Sequence, residues 1–280
     1  TVVLTGDGGD ELFAGYLRFY AAVLSEKIPP VLGRAAHMLL SALPRSSSDR
    51  HPLSRATRFL SAMNLPLYDR MTRWNALFYE ELGALLRPEF TATLEPIDKL
   101  RYISRELAKM EGRTTLSKVL QANFTSYLPD DLLVKTDRCT MANSLEARSP
   151  FLDRELIEYV ATLPDDLKLR GRTTKYILRE AFADLVPPAV QSRGKMGFGV
   201  PLGTWFRGDL RGYMRDRLLA PDAKYKEMLS PVYVESLVTR HLAGEANLGH
   251  QLWSLLCFEE WLRLLPAWQQ MRPVPAAVGD

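Results

Sequence analysis

The chain has 280 residues, of which 46% are hydrophobic and 25% charged, and its net charge is +3. That length and composition fit a globular protein with a substantial core, in one large domain or two small ones. The small net charge excludes an argument for nucleic acid or an anionic membrane, and the two distant cysteines and four scattered histidines exclude one for a disulfide framework or a zinc site.

Thr1 to Thr5 is apolar and β-branched, which predicts a strand. Gly6-Asp7-Gly8-Gly9-Asp10-Glu11 follows as an acidic, glycine-rich loop, and the amphipathic run from Leu12 to Leu24 predicts a helix. In a parallel α/β sheet, ligands sit where strands end and helices begin. The carboxylates of Asp7, Asp10 and Glu11 would repel a bare phosphate. The loop therefore implies Mg²⁺ between acid and phosphate, a cationic or amine reactant, or both. A purely structural account is also open: Asp10 caps the helix, Glu11 complements its positive end and the glycines turn the chain. The loop fits neither G-x-G-x-x-G, nor the phosphate-loop pattern, nor a calcium loop. A single strand at the start has no partner in sight, so the chain is expected to belong to a longer protein.

Helices are predicted next over about Val31–Leu43, Ser54–Met63, Pro66–Phe78, Glu80–Leu86 and Ile97–Met110, with a basic, Ser-rich linker from Arg45 to Pro52. Trp74, Phe78 and Tyr79 follow helical spacing and read as core. A helix from Thr114 to Tyr127 should end before Pro129, and Asp130 or Asp131 can cap the one after it. There Lys135 and Arg138 are three apart and share a face, where they could hold two phosphate oxygens or simply be solvated. Ser144 to Asp153 reads as a loop bracketed by Glu146 and Arg148, which could orient a substrate or pair with each other; Asp153 caps a helix through Ala161. Thr173 to Phe182 is predicted as one short helix, with Lys175 and Arg179 a turn apart. Three glycines around Lys195 make a basic loop that could close over a charged transition state, or be plain surface.

Trp205–Leu219 is expected to be helical with breaks near Gly208 and Gly212, followed by helices over Pro231–Leu242 and Gly249–Leu265. In the last, Trp253, Cys257, Trp261 and Leu264 line one side, expected to be buried or a subunit face. Cys139 and Cys257 both read as small buried residues. Arg272 to Asp280 is Pro/Ala-rich and expected to fray. No basic leader opens the chain, and no run reaches the ~18–20 apolar residues needed to span a bilayer. The expected location is cytoplasmic.

Four blocks, in order, resemble the synthetase domain of the asparagine synthase family, the glutamine-dependent amide-forming ligases. They are Thr5 to Tyr16, Asp137 to Asp153, Lys175 to Glu180 and Arg193 to Phe198. The resemblance implies an α/β ATP-pyrophosphatase domain of the adenine nucleotide alpha hydrolase type. Of it, this chain would hold residues 1–270, mainly α with one N-terminal strand of a parallel sheet, and a flexible tail at 271–280. It further implies that a carboxylate, aspartate in the leading reading, attacks the α-phosphate of ATP-Mg²⁺ to give an acyl-adenylate. Ammonia released from glutamine by an N-terminal glutaminase domain would then displace AMP. Residue by residue, Thr5, Gly6, Gly8 and Gly9 would touch the nucleotide. Asp7, where many members have Glu, would assist adenylation and take a proton from the attacking amine. Asp10 would bind Mg²⁺, and Lys195 would stabilise charge on the phosphates. Lys135, Arg138 and Lys175 would be further phosphate contacts, while Glu146 and Arg148 would be structural or orient substrate. The family's Ser-Gly-Gly-x-Asp-Ser pyrophosphate loop and the glutaminase domain are not in this sequence, so the chain alone is expected to bind ATP poorly. A homodimer is in keeping with the family. Two other readings stay open: a relative acting on another carboxylate, and a non-catalytic helical module.

Overall fold

In a computed structural model describing residues 1–42, 52–94, 106, 109–191 and 199–270, the chain forms two units. Thr1–Pro44, Arg55–Asn75 and Asp98–Lys195 make the first; Arg45–Ser54, Ala76–Ile97 and Met196–Asp280 make the second.

The first unit carries strand β1 (Val2–Leu4), which pairs in parallel with β2 (Glu146–Arg148) in the register Val2↔Glu146, Val3↔Ala147, Leu4↔Arg148. Two expectations are corrected here. β1 has a partner, and Glu146 and Arg148 lie on a strand rather than at the ends of a loop. Glu-Ala-Arg has no apolar alternation of its own, so only the ladder to a distant segment defines the strand.

The run from Leu12 to Leu24 is not one helix. A short helix, Gly9–Leu12, precedes the longer Leu17–Glu26, and between them Ala14 takes a left-handed conformation with φ 58°. That kink lets the Gly15 amide donate to the Asp10 carbonyl at 2.8 Å and the Lys175 amide donate to the Phe13 carbonyl at 3.0 Å. Tertiary bonds outweigh the local periodicity. Phe19 and Ala22 of the Leu17–Glu26 helix then pack with Met71 and with Leu116 and Val119 of the helix Thr115–Thr125.

Thr114 caps that helix by accepting from the Ser117 amide at 3.1 Å, and Asp153 caps Arg154–Thr162 by accepting from Leu156 at 3.1 Å. Each such cap stabilises by about 1 kcal/mol. After Ser126 the chain forms a π-helix, Leu128–Leu133, that runs straight into the α-helix Val134–Met141. Pro129 sits in the π-helix's first turn, where a missing N–H costs nothing, and neither Asp130 nor Asp131 caps either segment. Thr173 and Thr174 are also not helical. They pair antiparallel with Leu169–Arg170 across Gly171 at φ 58°, and the helix begins only at Tyr176.

The second unit is built from the helices Leu202–Arg207, Arg211–Leu218, Pro231–Leu242 and Gly249–Gln270 around Phe206, Met214, Val234 and Leu252. Gly208 ends a helix as expected, whereas Gly212 lies inside one. In Gly249–Gln270 the buried stripe is Leu252, Leu255, Leu256 and Glu259, while Trp253, Trp261 and Leu264 are 46%, 45% and 47% exposed. Of the two alternatives expected for that side, burial is overturned: it is an outer side, as a subunit face would be. Two adjacent stripes are apolar, and spacing alone does not say which one the core takes. Cys257 falls on the outer stripe and is exposed, as is Cys139, against the expectation for both. Trp74 packs on the first unit's core, and Phe78 on the second's. Among the described residues, no helix is long and apolar enough to cross a membrane. The tail at 271–280 lies outside the described residues.

Candidate active site

β1 delivers its last residues to an anchored loop. The Thr5 amide donates to the Arg148 carbonyl at 2.8 Å, extending the ladder by one rung. The Thr5 hydroxyl donates to Asp7 Oδ2 at 3.0 Å, and the Ser149 hydroxyl donates to the Asp7 carbonyl. Asp7 is therefore held at both its side chain and its backbone. Gly8 takes φ 85°, and a Cβ on Gly8 or Gly9 would press on Leu152 or on the Phe151 ring. Those two glycines let the 3₁₀ segment Pro150–Leu152 close on the loop. Gly6 differs: among the described residues nothing lies within 4 Å of where its Cβ would be, which leaves its side of the loop open to approach.

Asp10 lies on the short helix after the loop, and Lys175 Nζ pairs with its Oδ1 at 2.9 Å. Lys175 reaches it from a left-handed backbone, φ 53°, just before the Tyr176–Ala181 helix. Gly15 makes the pairing possible, because a Cβ there would overlap Asp10 Oδ1 and the Lys175 Cε. Glu11 turns the other way. It is 2% exposed and accepts from the Tyr16 hydroxyl at 2.6 Å. Burial, and next the Glu11 carboxylate, push the Tyr16 phenol well above its ordinary value, so it remains a donor. The Arg18 guanidinium lies 4.0 Å over the Tyr16 ring and 4.8 Å from the Tyr127 ring, and donates to Asn123 Oδ1 at 2.7 Å. Burial lowers the Arg18 pKa, yet a guanidinium stays charged across the working pH range.

The structure thus brings Thr5, Gly6, Asp7, Asp10 and Lys175 together. Glu146 and Arg148 pair with each other on β2 at 2.8 Å, and the backbone of Arg148 also anchors Thr5. Lys135 and Arg138 are exposed on the helix Val134–Met141, and no ion pair or hydrogen bond of their side chains is found among the described residues. Lys195 and its loop lie outside the described residues. The sequence alone did not single out Ser149, Gly15, Tyr16 or Arg18. Ser149 carried only the signal of preceding Pro150.

Among the described residues, no group of three or more His, Cys, Asp or Glu could hold a metal ion. Mg²⁺ needs no such cage, since it takes one or two protein carboxylates and fills its other positions with substrate phosphate and water. The hard oxygens of Asp10, with Asp7 on the same loop, fit a cation that arrives with phosphate.

A strand leading through a glycine- and carboxylate-rich loop into a helix is the layout of an α/β ligand-binding domain. A family model described as asparagine synthase matches residues 1–263. The chain belongs to the asparagine synthase family. Asparagine synthetase [glutamine-hydrolyzing] 1 of Bacillus subtilis (strain 168) is 30% identical over 265 residues, covering 93% of this chain and 40% of its own length. A putative asparagine synthetase [glutamine-hydrolyzing] of Mycobacterium tuberculosis (strain ATCC 25618 / H37Rv) is 32% identical over 265 residues, covering 93% and 39%. Amidase chyE of Penicillium rubens is 29% identical over 269 residues, covering 84% and 36%. The chain spans about 40% of the length of the first of these relatives. No solved structure matches it.

Proposed function

We propose that the chain supplies the ATP-using part of a glutamine-dependent asparagine synthetase. The domain is of the ATP-pyrophosphatase type, and the protein acts in the cytoplasm. The aspartate side-chain carboxylate attacks the α-phosphorus of ATP, a P–O bond to pyrophosphate breaks, and β-aspartyl-AMP forms. Ammonia from glutamine then attacks the acyl carbon, AMP leaves, and the nitrogen loses a proton. Asp7 receives that proton. Thr5, Gly6, Gly8 and Gly9 line the nucleotide side, and Lys135, Arg138 and Lys175 act as phosphate contacts. Lys195 offsets charge on the departing pyrophosphate, and Asp10 holds Mg²⁺, which screens the phosphates when bound. Glu146 and Arg148 orient substrate. The glutaminase domain is a partner outside this sequence.

One observation carries the reading: the segment after β1 carries two held carboxylates, Asp7 bonded by Thr5 and Asp10 paired with Lys175, and an open face at Gly6. Acids suit a metal and an amine, and the cation suits phosphate. The test is aspartate-dependent release of AMP by the full-length protein, with ATP and glutamine. Asp7→Ala and Lys195→Ala should each lower it by about 100-fold or more. Unchanged turnover in both variants would remove these residues from the chemistry. Among the relatives is one named as an amidase, which keeps a second acceptor in view. AMP release that ignores aspartate but follows another carboxylate would favour that reading.

A further inference from the structure

A second site lies in the first unit, among the helices Leu17–Glu26, Pro52–Ala62 and Leu67–Asn75. It is a cleft of about 560 Å³ lined by Arg18, Arg55, Arg58, Arg172, Phe59 and Trp74, among others. Among the described residues, no carboxylate lines it. Its polar wall is almost entirely donors, Tyr20 being, among the described residues, the one side chain that could also accept. Beneath that wall, Arg18 Nε and Trp74 Nε1 are buried, with no hydrogen-bond partner among the described residues. Both lie behind the cleft surface, so the donors that an occupant meets are the exposed guanidinium groups of Arg55, Arg58 and Arg172. The apolar wall is flat. Phe59 and Trp74 stack with their centroids 6.1 Å apart and planes 17° apart.

Guanidinium groups recognise phosphate and carboxylate through paired N–H donors and stack on planar groups. The volume is that of a small-molecule site. We propose that this cleft binds a small multivalent anion carrying a planar apolar group, the chemistry of a nucleoside phosphate, at a site separate from the Asp7–Asp10 loop. Arg18 then links the two places, since its guanidinium rests on Tyr16, whose hydroxyl holds Glu11 beside Asp10.

The experiment is calorimetric titration of the full-length protein with GTP, inorganic triphosphate and citrate at low salt. Arg55 and Arg172 are exposed, so the Arg55→Ala/Arg172→Ala double variant keeps the core intact. GTP is expected to bind, to weaken with added salt, and to bind the double variant about tenfold or more less tightly. Asp7→Ala should retain the binding. Absence of GTP binding, or binding that the double variant keeps and Asp7→Ala loses, overturns the proposal. Triphosphate as tight as GTP overturns the role of the aromatic wall, and citrate as tight as GTP overturns the preference for phosphate.

Discussion

Gly15 has no room for a methyl group, and its neighbours explain why that matters. A Cβ would displace the Asp10 carboxylate or the Lys175 chain that pairs with it. Gly15→Ala is expected to destabilise by about 1–3 kcal/mol, as overpacking does, and to slow AMP formation. Urea denaturation and the AMP assay check the two effects. Position 175 separates charge from conformation. Its φ of 53° favours glycine, so Lys175→Gly should fold about as well as the parent chain, while Asp10 loses its cation. Turnover that falls in Lys175→Gly with an unchanged denaturation midpoint places the lysine's role in the site. Equal turnover would make it a structural residue. The two acids and Lys175 were legible because the motif displays them. Gly15 was not, because its constraint comes from a lysine 160 positions away in sequence, by the numbering of the two residues.

Helices carry the next level, and the second unit shows how buried polar groups tie them. His241, on Pro231–Leu242, is fully buried; its Nδ1 accepts from the Leu248 amide at 3.1 Å and its Nε2 lies 3.2 Å from the Gly203 carbonyl. That arrangement requires the neutral ring, with the proton on Nε2. Burial, and next the Arg207 charge, lower its pKa. A base depressed in the folded state contributes stability that is complete above about pH 6.5 and lost as pH falls through the folded value. The denaturation midpoint should therefore drop between about pH 7 and pH 5, and His241→Gln should flatten that part of the profile. A profile no flatter in the variant would contradict this. Glu259 does a similar job on Gly249–Gln270. It is fully buried and accepts from the Lys224 and Tyr225 amides at 3.0 and 2.9 Å and from Arg263 at 2.6 Å. Glu259→Ala strands those donors and should cost about 3–5 kcal/mol, read from urea denaturation. Pro231–Leu242 was legible to the residue, because Ser230 caps it and Pro231 starts it. The break after Leu12 was not, since a tertiary bond to Phe13 places it. Nor was the buried stripe of Gly249–Gln270, where two neighbouring stripes are equally apolar.

At the scale of the molecule, ordered motif blocks revealed the family, because motif residues lie close together in sequence. The arginine cleft stayed hidden, because Arg18, Arg55, Arg58 and Arg172 come from separate segments that only folding unites. The parallel sheet was half visible, as one strand. Its stability follows from its size. β1 and β2 have three residues each, and Val2, Val3 and Leu4 are 52%, 37% and 70% exposed. A ribbon of two strands is marginal by itself, and few apolar contacts oppose its local opening. The helical core around Val234, Leu237, Leu252 and Leu255 is different, since each of these residues is at most 3% exposed. Its amides open only when the whole unit unfolds. Hydrogen exchange on the 280-residue chain should therefore show Val2–Leu4 and Glu146–Arg148 at least about tenfold less protected than those four core amides, a gap of about 1.4 kcal/mol or more. The loop from Gly6 to Glu11 hangs from that ladder through Thr5. Equal protection in the two regions would mean that the ladder is held by more than its own bonds, and that the loop's anchor is as firm as the helical core.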